Sequence, residues 1–131
     1  MKITFLLLIL LASLHQVQAQ YVYTNTDNAA VKACFKNFCD TDTISLKSIK
    51  KIRSLTLLTN DESLKIAEFT IMLTDINEEV YVAKIKWDYL DRNNLDLLSR
   101  NYKTIQLTDI LAKAKDGHLV KLKPKLYYII P

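Results

Sequence analysis

Apolar and polar residues alternate in short runs over much of this chain, which is the pattern of strands with one buried face. Residues 66–74 alternate in this way, and residues 80–87 do so again after the polar residues 75–79. A short polar connection between two such runs predicts a β-hairpin. The side chains expected on its buried face are Ala67, Phe69, Ile71 and Leu73 in the first strand and Tyr81, Ala83, Ile85 and Trp87 in the second.

Other segments have mixed or helical spacing. The first half of residues 44–58 suits a helix, and residues 54–59 suit a strand. Residues 90–100 place leucines among acidic side chains, which suits a short helix, and Asp91 can accept hydrogen bonds from its first free N–H groups. Residues 29–38 predict a single helical turn.

The single glycine of the chain stands in the pair Asp116-Gly117. Asp-Gly between two strands predicts a two-residue hairpin turn, because glycine adopts positive φ without a side-chain clash. Pro124 interrupts the apolar run that follows, which suits an edge strand or a bulge. Around it, Lys121, Lys123 and Lys125 are expected to alternate outward, with Val120 and Leu122 before the proline and Leu126, Tyr128 and Ile130 after it on the last strand.

Together these elements predict a mainly-β domain built from short strands and tight polar turns. We expect a β-sandwich, an immunoglobulin-like domain or a partly open barrel, with one or two short helices. One glycine and two prolines in 131 residues argue against a disordered chain.

The first nineteen residues have the pattern of a secretory signal peptide. Lys2 precedes an apolar run over residues 3–12, and compact residues occupy the last and third-last positions before Gln20. Cleavage after Ala19 divides the chain into a signal peptide (1–19), an irregular N-terminal segment with a cysteine loop (20–43) and a single β-rich domain (44–131). We therefore expect a periplasmic or secreted protein without stable membrane insertion after cleavage. An uncleaved anchor helix is the competing interpretation.

The net charge of +4 is small and mixed with acidic residues, which argues against nucleic-acid binding. Lysines nevertheless recur at alternate positions on the predicted strands. They define a candidate interaction face for an acidic partner or a surface polysaccharide, made of Lys84, Lys86, Lys121, Lys123 and Lys125. A solvated surface is the alternative interpretation.

Cys34 and Cys39 are the two cysteines of the chain, and both lie after the predicted leader. Exported domains meet oxidising conditions, in which such a pair tends to form a disulfide. The loop is short, so we expect it to stabilise a local turn by about 2 kcal/mol before strain. Free thiols, a redox pair and a metal site remain alternatives.

Catalytic groupings are not evident in the sequence, so we expect neither an enzyme nor a cofactor. Glu78 and Glu79 are adjacent carboxylates in a predicted turn, whereas a glycosidase holds its two carboxyl groups across a cleft. His118 follows Gly117 and has no nucleophile near it in the sequence. Trp87 is interpreted as a core residue, with an aromatic binding patch as the alternative.

The last part of the chain shows a recognisable order of elements. A helical segment at residues 90–98 precedes a strand at 104–107, then Asp109-Ile110-Leu111-Ala112, the turn Asp116-Gly117 and an apolar end at 127–130. This order resembles the C-terminal domain of the gliding-motility protein GldM, part of the type IX secretion and gliding machinery of Bacteroidota. The resemblance extends over residues 44–131 and is carried by residues 88–130.

The resemblance implies a periplasmic β-domain that works by contact with other proteins. No catalytic residue comes with it, and the membrane motor region of GldM is not carried over. The expected function is an exported, non-enzymatic interaction module with a periplasmic or outer-membrane-associated protein partner, and a homo-oligomer is left open. The alternative is a small secreted carbohydrate- or ligand-binding β-domain, which exposed aromatic side chains would favour.

Overall fold

The computed structural model describes residues 24–25 and 31–131. The predicted signal peptide, residues 1–19, and its cleavage after Ala19 lie outside the described residues. Within the described part of the chain, no helix combines the length and apolar character needed to cross a membrane.

Strands account for most of the described residues, as the alternating pattern predicts. In chain order the elements are β1 (Thr24–Asn25), β2 (Ala33–Phe35), β3 (Thr43–Ser45), α1 (Leu46–Lys51), β4 (Leu55–Thr59), β5 (Leu64–Asp75), β6 (Val80–Ile85), β7 (Tyr89–Leu90), α2 (Arg92–Leu98), β8 (Tyr102–Ala114), β9 (Leu119–Leu122) and β10 (Lys125–Ile130). The predicted mainly-β class is confirmed, and so are the helix and the strand within residues 44–58. The helical turn predicted over residues 29–38 is wrong where the structure describes it, because β2 occupies its centre.

Seven of the described strands form one mixed sheet, the large sheet, with β8 at its centre. One edge of β8 pairs antiparallel with β5, and the other edge pairs with β10 and then with β9. β6 extends the sheet beyond β5, and the short strands β1 and β3 pair in parallel with β9 and β10. The remaining three strands form the small sheet, in the order β2-β4-β7.

The two sheets enclose a single apolar core, which makes the fold sandwich-like. Phe35 of the small sheet is fully buried, and its ring lies 6.4 Å from the ring of Phe69 in β5 and 5.6 Å from that of Tyr127 in β10. Ile71 and Leu73 of β5 are fully buried in the same core, as the alternation predicts. Burial of such side chains is the main source of stability in a domain of this size.

Both helices close one side of this core. The start of α2 is capped as predicted: the carboxylate of Asp91 accepts a hydrogen bond from the N–H of Asn94 at 3.0 Å, and the Asn94 side chain accepts one from the N–H of Asp91. Arg92 then donates to the carbonyl oxygens of Ile49 and Ile52 at 3.3 and 2.7 Å, where α1 ends. One side chain therefore joins the start of α2 to two carbonyl groups at the end of α1, of which that of Ile49 also accepts from the N–H of Ile52.

Both predicted hairpins form, and both turns have three residues. In the β8–β9 turn the N–H of Gly117 donates to the carbonyl of Ala114, the N–H of Ala114 donates to the carbonyl of His118, and Gly117 has φ +94°. This is a tight turn followed by a residue with positive φ, one residue longer than the predicted two-residue turn. The β5–β6 turn has the same hydrogen bonds, but its positive-φ residue is Glu78, at +64°.

The outward alternation of Lys121, Lys123 and Lys125 does not continue through Pro124. Val120 and Leu122 are buried before the proline, but after it Tyr127 is fully buried, whereas Leu126, Tyr128 and Ile130 are exposed. Proline cannot donate to the ladder, so β9 and β10 are separate strands. Opposite this break β8 contains Asp109 with φ +47°, and its buried positions also change phase, from Leu107 to Ile110.

The strand predicted over residues 80–87 begins at the predicted residue, but it is shorter than predicted and only part of its predicted buried face is buried. β6 ends at Ile85, which is buried, and Ala83 is half-buried, whereas Tyr81 is 43% exposed. Trp87 lies beyond the strand end and is 47% exposed, so its interpretation as a core residue is wrong. Burial fades toward the start of β6 because this edge strand follows an exposed turn. In β5, a register shift between Ile66 and Glu68 leaves Ala67 only half-buried.

Candidate interaction surfaces

The outer face of the large sheet, turned away from the core, carries most of the exposed apolar side chains of β6 and β10; we call it the open face. One row across it is Val82, Met72, Gln106 and Leu126, and the next is Val80, Thr74, Thr104 and Tyr128. The exposed fractions of Val80, Val82, Leu126, Tyr128 and Ile130 are between 40% and 57%. Threonine, methionine and glutamine side chains join these groups, so the surface combines apolar area with few charges.

The candidate interaction face of five lysines does not form one surface. Lys84 and Lys121 lie at the rim of the open face, where they form ion pairs with Glu68 at 3.6 Å and Asp109 at 3.3 Å. Lys86 follows the end of β6, on the far side of β5 and β8 from Lys121. The lysines lie apart because of the order of the strands in the sheet, and the alternation of lysines along the sequence does not predict that order.

Lys125 lies on the opposite side, because the register of β10 places it next to the buried residue Leu107. Its ammonium group is 2.8 Å from the carboxylate of Asp42 and 4.9 Å from the centre of the Tyr127 ring. Lys123 and Lys125 line a cavity of about 450 Å³ beside the two cysteines.

Cys34 and Cys39 form the predicted disulfide. The loop between them is also held from inside by Tyr127, whose hydroxyl accepts a hydrogen bond from the N–H of Phe35 at 3.0 Å and donates one to the carbonyl of Phe38 at 2.9 Å. Burial raises the pKa of Tyr127 and is the largest effect. The hydrogen bond from the N–H of Phe35 lowers this pKa, and the negative charge of Asp42 raises it further. The disulfide and Tyr127 therefore fix the same loop.

The titratable residues considered for catalysis lie on separate exposed turns. Glu78 forms an ion pair with Lys103, next to the β5–β6 turn, and His118 contacts the carboxylate of Asp116 in the β8–β9 turn. The hydroxyl and N–H of Ser63 lower the pKa of Asp61, which accepts hydrogen bonds from both groups within a third turn. Among the described residues, no three His, Cys, Asp or Glu side chains are grouped as metal ligands.

An exposed pair of aromatic rings lies where the chain passes from β6 to β7 of the small sheet. The rings of Trp87 and Tyr89 are 6.0 Å apart and tilted by 30°, and their residues are 47% and 40% exposed. The alternation predicts a buried Trp87 because this residue lies two positions after the buried Ile85, on the same face of a continued strand. The signal against that interpretation is Asp88, a polar residue that ends the strand pattern.

No family model, curated protein or solved structure matches this chain.

Proposed function

We propose that this protein is an exported, non-enzymatic interaction module that binds another protein through the open face of its large sheet. The observation that supports the proposal is the exposure of five large apolar side chains on that face, in two groups on either side of β5 and β8: Val80 and Val82 on β6, and Leu126, Tyr128 and Ile130 on β10. Contiguous exposed apolar surface is costly in water and marks interaction sites in soluble proteins. The resemblance to the C-terminal domain of GldM, which stays a prediction, favours a periplasmic partner from the gliding or type IX secretion machinery.

The charges around the open face suit an apolar rather than an acidic partner surface. Lys84 and Lys121 at its rim already have the carboxylates of Glu68 and Asp109 as partners. Exposed pairs of this kind contribute little energy, so they serve mainly to keep the rim hydrated. Tyr128, 52% exposed, combines a large apolar ring with a polar hydroxyl, the combination that is enriched in binding hot spots.

Site-specific photo-crosslinking in the producing cell tests this proposal. A photoreactive phenylalanine derivative at Leu126 should form an adduct with one recurrent partner protein. The same group at Leu58 provides a matched control, because Leu58 is also 40% exposed but belongs to the small sheet. Equal adducts from both positions, or none from either, would count against the open face as the binding surface.

The pair of Trp87 and Tyr89 favours a second candidate, a carbohydrate-binding β-domain. Exposed aromatic rings stack on the apolar faces of sugar rings, and this pair has the exposure that the alternative function requires. Trp87 is the single tryptophan of the chain, so its fluorescence reports on this position alone. Saturable quenching or a blue shift on titration with cell-surface polysaccharides would support this candidate. An unchanged spectrum would remove it.

A further inference from the structure

The outer face of the small sheet brings the exposed aromatic pair next to polar side chains. The register of β4 with β7 places Tyr89 beside Thr56, and the neighbouring pair, Leu55 and Leu90, is buried in the core. Because successive side chains of a strand alternate between its two faces, Thr56 and Tyr89 both lie on the outer face. Trp87 accompanies Tyr89 there, since their rings are 6.0 Å apart.

Thr56 also lines a cavity of about 440 Å³ between the turn that follows β2 and the residues that lead from α1 into β4. Hydroxyl, amide and ammonium groups surround this cavity, and the polar residues that line it are Lys36, Asn37, Ser48, Ser54 and Thr56. Within the described part of the chain, none of these five side chains forms a hydrogen bond or an ion pair. Their donors and acceptors are therefore available to a ligand that enters the cavity.

The charge around this cavity is positive. Among the described residues that line the cavity, Lys36 is the single charged one, and its N–H donates to the carbonyl of Thr56 at 2.8 Å. Residues 43–60, which include the opposite wall, contain no acidic residue and four exposed basic ones, Lys47, Lys50, Lys51 and Arg53. A cleft bordered by charges of one sign attracts ligands of the opposite sign, so the cavity suits a negatively charged group.

We propose that this face binds an acidic polysaccharide, with the carboxylate or sulfate group of one sugar beside Lys36 and a neighbouring sugar stacked on Trp87 and Tyr89. The amphipathic aromatic rings cover the apolar face of a sugar, and the hydroxyl and amide side chains of the cavity pair with sugar hydroxyls. Asp88, between the two aromatic residues, disfavours a negative charge at that end. The inference rests on the second candidate function, carbohydrate binding, and adds the class of carbohydrate and the position of its charge; it does not depend on the open face.

Calorimetric titration with polymers that differ only in charge tests the proposal. Polygalacturonate and its methyl ester have the same sugar backbone with and without carboxylate groups, and dextran sulfate and dextran make the same comparison for sulfate. At least one acidic polymer should bind about fivefold or more tightly than its neutral counterpart. The same titration should quench or shift the fluorescence of Trp87, the single tryptophan of the chain. The acidic polymer that binds more tightly identifies the acid group that the cavity prefers.

Two matched variants separate a site at Lys36 from general attraction between a basic protein and a polyanion. Lys36→Gln should weaken binding of the acidic polymer by about fivefold and leave binding of its neutral counterpart unchanged. Lys113→Gln makes the same charge change at an exposed position of β8 in the large sheet, and it should leave both affinities unaltered. Both lysines are exposed, and thermal unfolding establishes that both variants are folded.

The remaining outcomes each overturn the proposal in a distinguishable way. Equal binding of the charged and neutral polymers would remove the preference for acidic sugars and leave carbohydrate binding in place, whereas no binding of any polymer would remove both. Equal losses with Lys36→Gln and Lys113→Gln would show a general attraction of polyanions. Polyglutamate has carboxylate groups but no sugar rings; if it binds as tightly as polygalacturonate and leaves the Trp87 spectrum unchanged, the site belongs to an acidic polypeptide instead.

Discussion

The hydroxyl of Tyr127 connects the last strand to the disulfide loop, and its removal gives a sharp prediction. The fully buried ring stacks on Phe35, and the hydroxyl bonds to the N–H of Phe35 and the carbonyl of Phe38. Tyr127→Phe keeps the ring and its packing and removes the hydroxyl alone. The buried N–H of Phe35 then has no acceptor.

The expected loss follows from the two hydrogen bonds. An unsatisfied buried N–H costs about 1–3 kcal/mol, and losing the bond to the half-buried carbonyl of Phe38 adds about 0.5–1.5 kcal/mol unless water replaces it. We therefore expect Tyr127→Phe to lower the free energy of unfolding by about 2 kcal/mol. That is a large part of the roughly 5–15 kcal/mol of a typical domain.

Equilibrium unfolding in urea measures this loss. With a slope of roughly 1–2 kcal/mol per molar urea, the midpoint should fall by about 1–2 M while the slope stays unchanged. Tyr128→Phe is the matched control, because Tyr128 is adjacent and 52% exposed, and it should change the free energy by less than about 0.5 kcal/mol. If Tyr127→Phe falls within that same limit, the hydroxyl does not hold the loop and the reasoning is wrong.

Three further predictions concern the turns, alkaline pH and the disulfide. Glu78→Gly should raise the free energy of unfolding by about 0.5–1 kcal/mol, because glycine adopts the observed φ of +64° without strain. Gly117→Ala should lower the free energy of unfolding by about 1 kcal/mol or more, because alanine is strained at φ +94°. Thermal unfolding of both variants checks these opposite signs. Since the pKa of Tyr127 is raised in the folded state, its contribution is complete below the ordinary value of 10.0 and is lost as pH rises through the folded value; the wild type should therefore lose stability above pH 10 more steeply than Tyr127→Phe, and parallel curves would contradict this. Replacing Cys34 and Cys39 together by serine should cost about 2 kcal/mol or less, because the closed loop is short, and a loss of the whole near-ultraviolet dichroism signal would show a larger role.

Local signals in the sequence predict the elements whose geometry depends on a few neighbouring residues. Asp91 caps α2 as expected, since the cap and the N–H groups that it binds lie within four positions of each other. Phe69, Ile71 and Leu73 are buried because the alternation within β5 is regular there. The Asp-Gly turn also forms at the predicted place, and its extra residue is a difference in turn geometry that the dipeptide alone does not specify.

Errors occur where burial depends on strands distant in sequence. Tyr127 lies inside and Tyr128 outside because β10 pairs with the first half of β8, whereas β9 pairs with the second half, beyond the irregular position at Asp109. Nothing local to residues 125–130 reports that change of partner. Pro124 is the one local signal of this break, because proline interrupts the strand and the alternation of buried positions starts anew after it.

The same limitation explains why the five lysines predicted to share one face do not form a single surface, whereas the exposed apolar side chains of β6 and β10 share the open face. Alternation assigns side chains to one of two sides of a strand, but it does not order the strands. Lys84 and Lys121 therefore lie at opposite margins of the open face, and Lys125 lies on the other side of the sheet. Apolar residues of β6 and β10 lie on the same face instead, in rows that cross β5 and β8, such as the row that joins Val82 to Leu126 through Met72 and Gln106. Because exposed apolar area is costly unless it is covered, association is the physical role that this arrangement favours.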